Sequence, residues 1–221
     1  MGSMTSVLLF LLPAVSAMAP RVADAQDARA IVGRSSTVYR SLASLSADFV
    51  QVIDNPMIDS AESRGKLIQA GPSRLSMRFT DPPGEAVVID GRYVWVYTPS
   101  TVPDQVLRLA VPSGGPVYGY NLLAWLLDRP AERYTANYLR QEKVGNRTLD
   151  VVELIPAVPD LPFDRAVLWL DREDALPRRL EITEKSGALR TLALSNLQVN
   201  RRVPDSTFKF EVPAGARVVD Q

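Results

Sequence analysis

The sequence predicts a mainly β protein of the α+β class: a meandering antiparallel sheet of about ten strands, an N-terminal helix and one short central helix. Three observations carry this. Apolar residues first recur at helical spacing and then switch to a period of two. Turn signals such as Asp81-Pro82-Pro83-Gly84, Asp90-Gly91, Gly145-Asn146 and Ser186-Gly187 punctuate the rest. One run, Leu122-Leu123-Ala124-Trp125-Leu126-Leu127, has no polar face at all.

The elements follow in order. Val7-Leu8-Leu9-Phe10-Leu11-Leu12 continues into small residues, and Ala23-Asp24-Ala25 fits a small-x-small cleavage site, so residues 1–25 are expected to be an export signal and Gln26 the mature N-terminus. The run is too short to span a membrane. No Lys or Arg precedes it, and Met1-Gly2-Ser3 stands before a second methionine, Met4, so the native start is open. The alternative is a buried N-terminal helix. No Cys stands at the cleavage site to take a lipid anchor.

Residues 27–51 read as a helix, because Ile31, Ser35, Val38, Leu42, Leu45 and Phe49 are spaced 4, 3, 4, 3 and 4 apart, and Asp54-Asn55-Pro56 breaks it. Residues 64–70 form a strand ended by Gly71-Pro72. In residues 73–80, Leu75, Met77 and Phe79 alternate with Arg74, Ser76 and Arg78, giving one apolar and one wet face. Residues 85–89, 93–97 and 106–111 continue as strands. Pro112-Ser113-Gly114-Gly115-Pro116 is a loop. Asn121 caps a helix over residues 122–128, which Pro130 closes. Residues 134–143, 148–155, 165–171, 178–185 and 189–199 are strands, and residues 207–211 a last short one. Nothing reads as an interdomain linker, so residues 26–221 form one domain.

Composition narrows the chemistry. The 221 residues carry 25 Lys+Arg and 25 Asp+Glu, so no global basic field marks a nucleic-acid binder. There is no His and no Cys, which excludes Ser-His-Asp and Cys-His catalysis, Cys/His zinc sites, iron–sulfur clusters and disulfides. Neither a Gly-x-x-x-x-Gly-Lys loop nor a Gly-x-Gly-x-x-Gly turn occurs. No enzyme and no cofactor are expected. The carboxylates Asp171, Glu173 and Asp174 sit at a strand end and read as a solvated turn.

An apolar sheet face under apolar helices either packs a dry core or leaves room for an apolar ligand. The order of segments bears on this choice. Ser44-Leu45-Ser46-Ala47-Asp48-Phe49-Val50-Gln51 is followed by Gly65-Lys66-Leu67, the Pro72 turn, Leu75-Ser76-Met77, Asp90-Gly91 before Val94-Trp95-Val96-Tyr97, and the Leu-rich helix. Val203-Pro204-Asp205-Ser206-Thr207-Phe208-Lys209-Phe210 and Pro213-Ala214-Gly215 end the chain. Together these resemble the periplasmic outer-membrane lipoprotein carriers, the LolA-type family.

The resemblance implies an unclosed antiparallel β-barrel of about eleven strands with a helical lid over an apolar cavity. It implies a periplasmic monomer that takes lipoproteins by their acyl chains from an inner-membrane ATP-driven release complex to an outer-membrane lipoprotein receptor. A same-fold lipid-binding or lipoprotein-sensing regulator is the alternative, and a small carboxylate-based hydrolase a further one. Candidate cavity residues are Leu75, Met77, Phe79, Val87, Ile89, Trp95, Leu107 and Leu109 on strands, Leu122, Trp125 and Leu126 on the lid, and the stripe Val38, Leu42, Leu45, Phe49 on the helical side. One departure stands out. Many members carry a lid-latching Arg before the Pro of the loop after Gly65-Lys66-Leu67; this chain has Gly71 there, and Arg74 is the nearest substitute.

Overall fold

A computed structural model describes residues 22–71, 73–111, 119–158 and 161–221, with backbone alone at residues 22–27 and Ile58. Most of the expected export signal and the whole loop at residues 112–116 lie outside the described residues.

Helix α1, Val22–Ser41, is shorter than its periodicity suggested. From Ser44 the chain is already strand β1, Ser44–Asn55. Leu45 and Phe49 therefore belong to a strand and not to the helical stripe. The spacing misleads because residues four apart share a face in both geometries. Ser44-Leu45-Ser46-Ala47-Asp48-Phe49 also alternates with period two, and Leu45, Ala47 and Phe49 are all buried. The switch is fixed from the far end of the chain, where Asn200 Oδ1 accepts from the Ala43 N–H at 2.9 Å and the Arg201 carbonyl accepts from Ser44 Oγ at 2.6 Å.

The remaining strands are β2 (Ile58–Ala70), β3 (Arg74–Asp81), β4 (Ala86–Ile89), β5 (Tyr93–Tyr97), β6 (Gln105–Ala110), β7 (Tyr134–Val144), β8 (Arg147–Pro156), β9 (Phe163–Asp171), β10 (Pro177–Glu184), β11 (Leu189–Val199) and β12 (Arg217–Asp220). They make one 12-stranded sheet in the order β12-β6-β5-β4-β3-β2-β1-β11-β10-β9-β8-β7, unclosed between β12 and β7. The pairings are antiparallel except that of β12 on β6, where Arg217 to Asp220 run parallel to Gln105 to Arg108. Between β6 and β7 lie α2, Leu122–Leu127, and a single turn α3, Pro130–Arg133. Pro130 thus opens a helical turn and does not merely close α2; at a first helical position its missing N–H is no loss. No described helix is long and apolar enough to cross a membrane.

Two stretches near the C-terminus depart from the expected pattern. Residues 207–211 form no strand: Asp205–Phe208 is a 3₁₀ turn after Pro204. Its aromatic residues serve packing, with Phe208 buried beneath the Arg74 guanidinium at 4.9 Å and Phe210 stacked on Trp95 at 5.7 Å. Strand β12 went unanticipated because Val218 and Val219 are too few to show a period; Arg108 holds it through Asp220 at 2.5 and 2.8 Å.

The sheet has two apolar faces. The main core lies on the inner face with α1 and α2, and includes Leu75, Leu126, Leu154 and Leu168 at 0 % exposure. Alternate residues of β8 and β9 point the other way, where Leu149, Val151, Val167 and Trp169 form a second cluster. The Asp171 turn is not a solvated one. Asp171 is 2 % exposed and takes Arg147 at 2.5 Å and Arg178 at 3.2 Å. Burial alone would raise its carboxyl pKa, but hydrogen bonds from Arg147 and the Glu173 N–H, with the Arg178 charge, hold it below the usual range.

Candidate functional site

The inner face of β1, β2 and β3 does not close against the helices. Between them lies a cavity of about 430 Å³, in the size range of small-molecule sites. Its walls follow from the register. Met77 faces Val87 across β3 and β4, Leu67 faces Met77 across β2 and β3, and Gln51 and Ile53 face Leu192 and Arg190 across β1 and β11. All of these residues line the cavity. Leu75, Phe79, Val96 and Ala61 complete the apolar wall, and Tyr120, Leu122 and Leu123 close it at the start of α2. Glu62, Glu85 and Arg190 are the charged residues on the lining.

Five expected residues are on this wall: Leu75, Met77, Phe79, Val87 and Leu122. Leu45, Phe49, Ile89, Trp125 and Leu126 are buried in the surrounding core, and Val38, Leu42 and Leu109 pack on that core partly exposed. Leu107 is half-buried on β6 opposite Val96. Trp95 stands on the other face of the sheet. It pairs with Val88, its indole N–H donates to Asp90 Oδ2 at 2.8 Å, and Phe210 covers its ring. The strand of residues 93–97 alternates, and its inward residues are Val94 and Val96. Residues missed from the sequence include Gln51, Ile53 and Leu192; they continue the period-two rows of Phe49 and Leu194, a signal that the helical reading of residues 27–51 hid for β1.

Helix α2 is fastened by three polar contacts. Asn121 Oδ1 accepts from the Ala124 N–H at 3.2 Å, Ser36 Oγ donates to the Leu127 carbonyl at 2.6 Å, and Arg133 donates to the Trp125 carbonyl at 2.7 Å. Arg74, the expected substitute latch, turns away from the cavity to pair with Asp205 at 2.6 Å. At Gly71 the backbone is in the left-handed region (φ 59°), and its carbonyl accepts from Gln69 Nε2 at 2.9 Å. Gln69 in turn accepts from the buried Tyr39 hydroxyl on α1, and burial pushes that phenol's pKa up despite the hydrogen bond. Tyr39 thus ties α1 to the sheet, while Ser36 and Arg133 tie α2 to α1 and α3.

A second recess, about 660 Å³, lies beside Trp169. It is ringed by Glu142, Arg147, Asp174, Arg178 and Arg179, of which Arg147 and Arg178 reach Asp174 while Arg179 lies 4.8 Å over the Trp169 ring. Those charges are already paired, Arg147 and Arg178 with Asp171 and Asp174, Arg179 with Glu181 and Glu142 with Arg140. The inner cavity, with a mostly aliphatic wall and a short apolar helix over it, is the stronger candidate for a ligand.

The open sheet and this cavity define the class: an unclosed barrel with an apolar cavity on its inner face. The family model described as "Outer membrane lipoprotein carrier protein LolA" matches residues 40–211, and the chain belongs to that family. It is 28% identical over 217 residues to an outer-membrane lipoprotein carrier protein of Alkalilimnicola ehrlichii, covering 97% of this chain and 94% of that one. To the protein of that name from Chromohalobacter salexigens it is 27% identical over 201 residues, 90% of each. Among solved structures it resembles an uncharacterized conserved protein from Thermus thermophilus, with a TM-score of 0.56, 14% identity, and coverage of 89% of this chain and 100% of that one. The Pseudomonas aeruginosa MucA/MucB complex gives a TM-score of 0.50 at 16% identity, over 87% of this chain and 63% of that one.

Proposed function

We propose that this chain is a periplasmic carrier that holds the acyl chains of lipoproteins in the inner cavity and shuttles them from an inner-membrane ATP-driven release complex to an outer-membrane receptor. The observation that carries the reading is the apolar wall of Leu67, Leu75, Met77, Phe79 and Val87 facing Leu122 and Leu123 across open space. An acyl chain of about fifteen methylenes costs roughly 12 kcal/mol to expose to water, at ~0.8 kcal/mol per CH₂. A cavity of this kind recovers that energy, whereas a few hydrogen bonds do not. The names of the relatives support the cargo, and no catalytic step is needed for the task.

The test is displacement of a fluorescent fatty-acyl probe by a triacylated lipopeptide, followed by release of lipoprotein from spheroplasts. Probe binding with release supports the carrier. Probe binding without release assigns a lipid sensor instead, and a protein that binds no probe at micromolar levels is neither. N-terminal sequencing of the exported protein, expected to start at Gln26, tests the signal segment.

A further inference from the structure

Strand β11 outruns one of its neighbours. β10 pairs with it only as far as Arg179 opposite Ala193, while β1 pairs on to Leu45 opposite Val199. Its neighbours in the sheet are β1 and β10, so past Ala193 one edge of β11, residues 194–199, has no strand beside it among the described residues. The recess beside Trp169 lies along that edge. Ala193, Leu194, Ser195, Asn196 and Leu197 all border it. Consecutive residues of a strand point to opposite faces, so a hollow that touches each of them runs along the backbone and not against one face. The opposite bank agrees: Leu176 belongs to the main core, and Leu149 and Trp169 to the outer cluster. The register of β1 on β11 shifts between Ser46 and Asp48, with Asn196 at φ 52°. Such a bulge bends its strand, and this one falls where β11 runs past β10.

Free edges are usually guarded by charge, proline or brevity. The two end strands of the sheet follow this rule. β7 carries Arg140, Glu142 and Lys143 and has α1 packed against it, and β12 is only 4 residues long, with Arg217 and Asp220. Residues 194–199, Leu-Ser-Asn-Leu-Gln-Val, hold no charge and no proline, and the bulge is their one guard. Apolar side chains stand open around them, Val144 at 53 % exposure and Val199 at 37 %. The stretch spans about 20 Å at ~3.4 Å per residue, the length of an ordinary strand. What fits it is a main chain that pairs with the edge while alternate side chains enter the recess. The charges decide which chain. Arg147, Arg178, Arg179, Glu142 and Asp174 are each engaged within this protein, so a charged side chain meets no free counter-ion there.

We propose that the free edge of β11 at residues 194–199 receives an extended, uncharged segment of a partner protein as an added strand, its alternate apolar side chains entering the recess beside Leu197 and Trp169. Arg190 and Leu192 of the same strand line the inner cavity, but no residue of this edge does. The inference therefore does not depend on what the cavity carries.

The test titrates the whole protein with a fluorescent, end-capped peptide, Ser-Val-Thr-Leu-Ser-Val-Thr. Anisotropy is expected to show saturable binding, and amide hydrogen exchange at residues 194–199 is expected to slow when the peptide is bound. N-methylation of alternate peptide amides separates strand pairing from apolar contact. On one edge of the peptide it should weaken binding about tenfold, and on the other edge leave it unchanged. Ser195→Lys and Val199→Lys put a charge on the edge at exposed positions. Each should weaken the peptide about tenfold, with Tm and acyl-probe binding unchanged. The exchange data and the methylated peptides carry the test if either variant fails to fold. No peptide binding up to about 1 mM overturns the inference. So do equal affinities of the two methylated peptides, which would make the recess a plain apolar pocket, and so does undiminished binding by both folded Lys variants. A dimer in sedimentation that Ser195→Lys dissolves would assign the edge to a second copy of this chain and replace the partner. A wild type that binds the peptide and no acyl probe supports this inference and overturns the carrier reading alone.

Discussion

Phe49 and Phe79 stand on β1 and β3, strands that are not neighbours, yet their rings meet edge to face with centroids 5.1 Å apart. They meet because the residue between them on β2 is Gly65, which pairs with Phe49 on one side and Phe79 on the other. The register of β2 on β3 shifts at this point, between Arg64 and Gly65. A glycine here is a requirement of close approach, and the aromatic pair covers the gap it leaves.

The first prediction follows from that row. A Cβ on Gly65 would lie 2.1 Å from the Arg78 carbonyl oxygen and 2.8 Å from the Phe79 Cα, both backbone atoms that cannot swing aside. Gly65→Ala must therefore part β2 from β3. We expect a loss of about 2 kcal/mol, at the level of other overpacked sites, and a fall in Tm of roughly 5 °C. Circular dichroism melting measures it. A wild-type Tm would mean that the strands are not this close.

The second prediction separates wall from core. Met77 and Val87 face each other on the cavity, whereas Leu154, at 0 % exposure, belongs to the core and not to the lining. A carboxylate at Met77→Glu or Val87→Glu reaches a hollow that admits water when empty, so the fold is expected to survive while acyl-probe binding is lost. Leu154→Glu buries a charge with no hollow to receive it, several kcal/mol unfavourable, and should unfold the domain. Melting and probe titration are read side by side. Unfolding of all three variants would mean that the hollow is not hydrated in the empty protein.

The third prediction concerns acid. The Asp171 carboxyl is held below its ordinary value, so it binds a proton less readily folded than unfolded. Its contribution is thus present above an unfolded pKa of about 3.9 and is lost as pH falls through the lower, folded value. The wild type should lose stability below about pH 4. Asp171→Asn leaves the nearly buried Arg178 with Asp174 as its remaining carboxylate. It should be destabilised by about 3 kcal/mol at pH 7 and show a shallower acid limb in urea melts between pH 2 and 5. An acid limb as steep as the wild type's would place the titration elsewhere.

How much of this was legible in the sequence depends on the length of each pattern. Leu75, Met77 and Phe79 alternate over a full strand, and the structure sets all three on one wall. Asn121 before an all-apolar run marked both a cap and a buried helix. Leu45 and Phe49 were misread because a spacing of four suits helix and strand alike, and what ends α1 is Asn200, 157 residues away from Ala43. Trp95 is among the residues expected at the cavity, and the structure turns it outward. Its orientation depends on Asp90 and on Phe210, whose own stretch looked like a strand.

The last prediction concerns how α2 moves. A helix of six residues is not stable by itself, and its last carbonyls have no partners within it. Here Ser36 supplies one at Leu127 and Arg133 another at Trp125, with the Arg133 guanidinium 4.2 Å from the centroid of the Trp125 ring. These contacts hold α2 in place over the cavity. Loosening them should then favour entry. Arg133→Met keeps the aliphatic stem and loses the donor, and Ser36→Ala loses the hydroxyl alone. Each is expected to lower stability by about 1–2 kcal/mol and to raise the association rate of an acyl probe severalfold in stopped-flow mixing. Because both contacts hold one helix, the double variant should show less than the sum of the two stability losses. A lower Tm with an unchanged association rate would make α2 a fixed wall of the cavity and not its door.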